Sequence, residues 1–471
     1  MHQFGRELTG ARRGFAPWFG LLLATLACLI LLQGCGGRQA QSPHQAGLPS
    51  WMGTVEDLRR FPQDLNVYAS RAGKDKPLFS VAEQNAQAAR FMRIYFGPWD
   101  MDKTSVRKRD AAAIFHRARG FRYADVRWTQ EAWDAISRNA NMGDFPSRST
   151  RAITVRATNL REMPTNETRF SEPTPNPQAN PFDYFQYSLL PVGTPLLIAH
   201  TTRDGQWHFV ECPIAAGWVA AADVAAVDAG FARAYRNGPF AAVLRDQVRL
   251  AATDGNVVTA GIGALLPLRG EGQDGEDRLR VLLPLRGPDG MAGADSVALP
   301  RTDAAPWPLP PTPGTVAQLG DLMLGQHYGW GGMFGLRDCS ALTRDLLAPF
   351  GIWLPRNSVA QARTGSVMSL EGMSTAEKEA TILRYGVPFL SLVGMRGHIM
   401  LYVGNYRGRP AIFHNVWGVR VVENGDDDAR LVLGRAVVTS ITPGAELPNL
   451  YRPVTFADRL RTLSTPADTL R

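Results

Sequence analysis

The sequence predicts a multidomain α+β protein: a helical N-terminal region, two small β-barrels and a C-terminal α+β domain. Three observations predict it. Apolar residues recur at three-four spacing from about residue 51 to 145, then switch to a period of two from about 150. Five prolines crowd into residues 304–314. Beyond them come a Gly-rich loop, a helix and then strands. The 471 residues suffice for two to four domains. With 45% apolar and 20% charged residues, the chain is neither disordered, collagenous nor a multi-span membrane protein. The net charge of +8 becomes about +6 (8 − 2) without residues 1–34, which hold three Arg and one Glu. There is no long basic run and no basic-aromatic stripe, so nucleic acid is not an expected partner.

Arg6, Arg12 and Arg13 precede an apolar run over 18–32 that ends Leu32-Gln33-Gly34-Cys35. A basic start and about 15 apolar residues read as an export signal, because a spanning helix needs roughly 20. The Leu-x-Gly-Cys ending resembles a bacterial lipobox, whose cysteine becomes the lipidated first residue of the mature chain. That resemblance implies lipid on Cys35 and contact with the membrane through it. With Gly36 rather than Asp next, it implies the outer membrane, facing the periplasm. Residues 1–35 are thus signal and lipobox, and 36–50, rich in Gly, Gln and Ser, a tether. Cys28 leaves with the signal, so Cys212 and Cys339 remain. Cys212 lies in an alternating strand pattern and reads as a small buried hydrophobe.

Residues 51–145 form the helical domain, with helices expected over 81–95, 110–119 and 128–136. Tyr95-Phe96-Gly97-Pro98-Trp99 between them reads as a packed aromatic corner. Residues 146–229 form the first β unit: a strand opening at Ile153, then a hairpin of 196–202 and 207–212 turning at Asp204-Gly205. Its Pro-rich insert at 173–181 must be a loop. Residues 230–303 form the second β unit, after a short helix over 231–236, with strands at 248–252, 263–268 and 279–285. Residues 304–314 read as a stiff linker. The C-terminal domain spans 315–460, and 461–471 is expected to be a loose tail.

The chemistry concentrates in 328–342. Four glycines fall within residues 329–335, which forbids a helix there and lets backbone approach a ligand. Leu342, Leu346 and Leu347 then return at helical spacing, which makes Asp338 an N-cap and puts Cys339 in the first turn. The helix dipole there favours a thiolate, the nucleophilic form. A thiol nucleophile needs a base and the base an orienting partner. His398 opens an alternating strand and His414 lies on the returning one. With the hairpin centred near Arg407, His414 faces Met400 and shares a sheet face with His398; a one-residue slip would separate them. His200 and His208 read as structural, and Asp426-Asp427-Asp428 as a solvated turn. No HExxH or CxxC occurs, so no metal or other cofactor is expected.

The following pieces resemble the NlpC/P60 family of papain-like cysteine peptidases, which cut peptidoglycan stem peptides. They are Tyr328-Gly329-Trp330-Gly331-Gly332, Asp338-Cys339-Ser340 before a helix, Leu354-Pro355-Arg356-Asn357-Ser358 with Gln361, Gly397-His398, Tyr402-Val403-Gly404 and His414. The two β units resemble bacterial SH3 domains, and the Tyr-Phe-Gly-Pro-Trp corner resembles the family's N-terminal stabilising domain. The resemblance implies Cys339 as nucleophile, His398 as general base and His414 as its orienting group. It also implies Tyr328 as an oxyanion-side hydroxyl, and Asp338 and Ser340 as contacts for the stem peptide's free amine. The implied reaction is cleavage of the γ-D-Glu–diamino acid bond by a monomer without cofactor. Two departures stand out: Ala341 replaces the usual glycine, and the Gly-Asp pair usual before the histidine strand is missing. The alternative reading is a catalytically idle, lipid-anchored scaffold that binds peptidoglycan.

Overall fold

A computed structural model describes residues 52–173, 180–271 and 277–469. The expected signal, the lipobox Cys35 and the tether lie outside these residues. In the helical region Ser80 starts the helix Val81–Tyr95 by accepting the Glu83 N–H at 3.1 Å, and Thr129 starts Gln130–Ala140 likewise at 3.2 Å. The helix expected over 110–119 is instead one turn, Lys108–Ala111, and a 3-10 turn, Ala113–His116. The chain leaves the helical path where Arg117 pairs with Glu162 of the first β unit at 2.6 Å.

The aromatic corner is packed as its composition suggests. Trp99 Nε1 donates to the Ala152 carbonyl at 2.8 Å and the Tyr95 hydroxyl to that of Gly193 at 3.0 Å, both in the first β unit. Phe61, Leu65 and Phe91 share one apolar cluster with Val316, Leu346, Leu401 and Phe413 of the C-terminal domain. Ile114, Trp128 and Trp133 pack instead on Met163 and Phe185 of the first β unit. The helical region therefore buries its apolar faces against its neighbours, at about 1.5–3 kcal/mol per large side chain.

The first β unit is one antiparallel sheet in the order Gln186–Leu190, Thr158–Arg161, Ala216–Ala220, Trp207–Glu211, Pro195–Thr201, Thr150–Thr154, Val224–Ala226. The expected hairpin pairs Ile198 with Val210 and Thr201 with His208. His200 is structural: its ring nitrogens meet Ser147 Oγ at 2.7 Å and the Ala140 carbonyl at 3.0 Å. The second unit adds strands that the sequence pattern did not reveal, Phe240–Val243, Val257–Ala260 and Ala292–Pro300.

Two boundaries need correction. The expected linker at 304–314 is structured: Ala304–Trp307 is a strand paired with Phe240–Val243, and Pro313 opens the helix Pro313–Met323. Pro306 is tolerated because that strand is at the sheet edge, and Pro313 because the first helical residue has no partner for its N–H. The expected tail contains Leu460–Thr465, which lies inside the C-terminal sheet between Ser366–Ser369 and Leu392–Met395. That sheet continues through His398–Tyr406, Arg409–Glu423 and Asp426–Thr439. The helix Cys339–Leu347 packs on it.

Replacing Trp99 with Ala removes a buried indole and its hydrogen bond, and should cost about 3–5 kcal/mol. The check is the first unfolding transition in urea; a loss below about 1 kcal/mol would mean that the corner does not hold the helical region to the first β unit.

Candidate active site

Asp338 accepts the Ala341 N–H at 2.8 Å and so caps the helix Cys339–Leu347, with Cys339 in its first turn as expected. The glycines ahead of it serve another purpose than the one expected. Gly331 and Gly332 have φ of 61° and 84°, and a Cβ on either would lie 2.6 Å from Gln186 or Leu189. The bare backbone thus lets the loop lie on the strand Gln186–Leu190 of the first β unit, instead of opening it to a ligand.

The two histidines meet because of a bulge. The turn of the hairpin is Arg407-Gly408, with φ of 51° and 82°, and it pairs Tyr406 with Arg409. Carried on unbroken, that register would set His414 opposite Leu401 and turn it away from His398. An irregularity between Tyr402 and Gly404 shifts it by one, so that Leu401 faces Phe413 and His414 comes opposite Met400. His398 Nε2 then lies 2.8 Å from His414 Nδ1.

A chain of hydrogen bonds assigns the tautomers. The Thr439 hydroxyl donates to the Ser440 carbonyl at 2.8 Å, so its oxygen accepts from His414 Nε2–H at 3.1 Å. His414 Nδ1 is left as an acceptor, and His398 must donate its Nε2–H to it. The proton-accepting nitrogen of His398 is therefore Nδ1. The Cys339 sulfur receives the backbone N–H of Ile399, the residue after His398. Phe456 packs on both imidazoles, its ring centre 6.0 and 5.9 Å from theirs.

Residues 325–422 match the NlpC/P60 family and residues 24–145 its N-terminal stabilising domain. Residues 169–220 match an SH3 domain of SH3b1 type and 228–273 one of SH3b2 type. The chain thus carries an NlpC/P60 domain behind that family's stabilising domain and two SH3 domains. A solved NlpC/P60 endopeptidase from Photobacterium damselae subsp. piscicida is 23% identical and shares the fold, with a TM-score of 0.77 over 89% of this chain and 99% of that one. An NlpC/P60 family protein from Bacillus cereus ATCC 10987 is 16% identical, with a TM-score of 0.45 over 68% of this chain and all of that one (100%). No curated protein sequence matches.

Within this NlpC/P60 domain Asp338 is not an open carboxylate. It forms a buried pair with Arg356 at 2.6 Å and accepts the Gly331 N–H at 3.1 Å. Arg356 also donates to Ser340 Oγ at 2.8 Å and to Ser188 Oγ of the first SH3 domain at 2.8 Å. Asp338 and Ser340, expected to meet a substrate amine, are thus engaged with Arg356. The role of Arg356 escaped sequence reasoning, although the residue stands in a quoted motif. Thr439 and the site wall given by the first SH3 domain escaped it too. In that wall a buried pair, Arg161 with Asp183 at 2.7 Å, fixes the segment that carries Phe182. The Phe182 ring packs edge-on against Trp330 at 5.1 Å, Trp417 at 5.9 Å and Tyr328 at 6.3 Å. Tyr328 is half-buried, and the loss of solvent around its hydroxyl raises its pKa well above the ordinary value.

Burial opposes the thiolate that the helix start favours. Cys339 is only 7% exposed, and burial, reinforced by the charge of Asp338, pushes its thiol up to about 12. The N–H groups of Ile399 and Ser340 and the Arg356 charge act the other way and are outweighed. Burial likewise holds His398 down to about 3, with Arg459 adding to the effect, and His414 well below its ordinary value. Burial therefore disfavours charge on the thiol and on both imidazoles. Cys212 is buried in the first SH3 domain, its Sγ donating to the Ala215 carbonyl at 3.0 Å.

A histidine whose pKa falls on folding adds stability that is complete above its unfolded value, near 6.5, and is lost as pH falls towards the folded one. The melting temperature should therefore fall between pH 6.5 and 4, and fall less steeply in His398→Asn/His414→Asn. Equal slopes in scanning calorimetry would mean that the two rings are not held neutral.

Proposed function

We propose that this chain is a thiol endopeptidase of the bacterial cell wall that cuts peptidoglycan stem peptides between γ-D-Glu and the diamino acid. One observation carries the reading: Cys339 starts a helix against the strand of His398, whose Nδ1 the Thr439–His414 chain leaves without a proton. In the first half-reaction Sγ attacks the scissile carbonyl while its proton passes to His398 Nδ1. Transfer ahead of attack would create two charges in a buried site, so the two events are concerted. His398 then protonates the departing amine, and the same nitrogen later takes a proton from the water that releases the acyl group. His414 donates nothing to substrate; it fixes the ring and tautomer of His398. The Tyr328 hydroxyl, in the role that the family resemblance implies, donates to the developing oxyanion.

The NlpC/P60 domain, from a cysteine peptidase family, and the solved relative described as an endopeptidase support the reaction class. The SH3 domains support a wall polymer as partner. Lipid on Cys35 would hold the enzyme at the outer membrane, facing the periplasm, within reach of that polymer. The bond assignment comes from the family resemblance.

Wild type and Cys339→Ala should be incubated with purified L-Ala-γ-D-Glu-diaminopimelate-D-Ala and followed by mass spectrometry. Wild type should give two fragments whose summed mass exceeds the substrate by one water, split after γ-D-Glu, and Cys339→Ala at least 10³-fold less. Intact peptide in both, with binding to isolated wall retained, would replace this reading by that of a binding scaffold.

A further inference from the structure

A groove of about 320 Å³ on the C-terminal domain is lined by Arg363, Arg396 and Arg461, with one carboxylate, Glu371. Arg396 belongs to the turn between Leu392–Met395 and His398–Tyr406 and stands two residues before His398. Arg461 is held by Glu371 at 3.4 Å. Among the described residues the guanidinium groups of Arg363 and Arg396 have no hydrogen-bond, ion-pair or ring partner, and both residues are exposed. On the neighbouring hairpin, by contrast, Arg409, Arg420 and Arg430 each pair with a carboxylate. Beneath the groove Thr462 Oγ1 is buried without a partner. Gly394 keeps the floor bare: a Cβ there would lie 2.7 Å from that oxygen and 2.5 Å from the Ala362 Cβ.

We propose that this groove binds the carboxylates of the leaving half of the stem peptide, the half that begins with the diamino acid. The inference rests on the peptidase reading above. His398 protonates the departing amine, so residues that adjoin it in the chain and line a groove meet the half that carries this amine. That half bears a carboxylate on the diaminopimelate side chain and another at the peptide C-terminus. Guanidinium groups without partners match carboxylates two bonds at a time, which makes arginine a better reader of such a peptide than lysine. The groove therefore selects a diaminopimelate peptide with free carboxylates over one with a neutral or cationic side chain.

The test titrates the full chain carrying Cys339→Ala, with and without Arg363→Gln/Arg396→Gln, with two dipeptides in a calorimeter. One is diaminopimelyl-D-Ala; the other is lysyl-D-alaninamide, which has no carboxylate. Both arginines are at the surface, so their loss leaves the core intact. Binding of diaminopimelyl-D-Ala should weaken at least tenfold in the arginine variant, and that of lysyl-D-alaninamide less than threefold. No binding of diaminopimelyl-D-Ala by the chain with both arginines, equal binding in the two chains, or equal weakening for the two dipeptides would overturn the proposal. A parallel cleavage assay on Cys339-containing chains separates the two readings. Uncut peptide with arginine-dependent dipeptide binding removes the peptidase reading and keeps a carboxylate-binding groove. Cut peptide with arginine-independent binding keeps the peptidase and removes the groove.

Discussion

The buried pair of Asp338 and Arg356 is the constraint on which the site depends. Taking both charges out of water costs several kcal/mol each, and their attraction offsets this only when every remaining hydrogen-bonding position is filled. Here most of them are filled. Asp338 takes the N–H groups of Gly331 and Ala341, so one carboxylate closes the glycine loop and caps the helix of Cys339. Arg356 spends its other donors on Ser340 and on Ser188. Because Ser188 belongs to the first SH3 domain, the position of the nucleophile is fixed partly by a neighbouring domain. Arg161 and Asp183 hold the SH3 side of the same contact, and Asp183 accepts Trp330 Nε1–H through its carbonyl at 3.0 Å. The SH3 domain is a wall of the site as well as a module beside it.

The same burial sets the electrostatics. A helix N-terminus favours a thiolate by at most a few kcal/mol. Burial of Cys339, reinforced by the Asp338 charge, acts against it and wins. What the geometry supplies is directed proton transfer: the Ser440 carbonyl orients Thr439, Thr439 orients His414, and His414 leaves His398 Nδ1 as the basic nitrogen. The site can stay unreactive until a substrate completes it.

Much of this was legible in the chain. Glycines followed by apolar residues at helical spacing place Asp338 and Cys339 at a helix start, because local rules decide caps. The pairing of His398 and His414 was legible only in outcome: the turn is half a residue from the expected centre, and the irregularity before Gly404 restores the register. Arg356, Thr439 and Phe182 were not legible, since each acts through a partner far away in sequence. Pro306 and Pro313 misled because prolines look alike in linkers, edge strands and first helical turns. Leu460–Thr465 misled because a strand held by two neighbours needs little apolar character of its own.

The central claim is that Cys339 rests as a neutral thiol beside a neutral imidazole. The most direct measurement is the rate of Cys339 alkylation by iodoacetamide from pH 4 to 10, with Cys339→Ala subtracted to remove Cys212. The account predicts a rate that is low throughout the acid and neutral range and still rising at pH 10. A plateau reached already between pH 4 and 7 would show a preformed thiolate–imidazolium pair and contradict it.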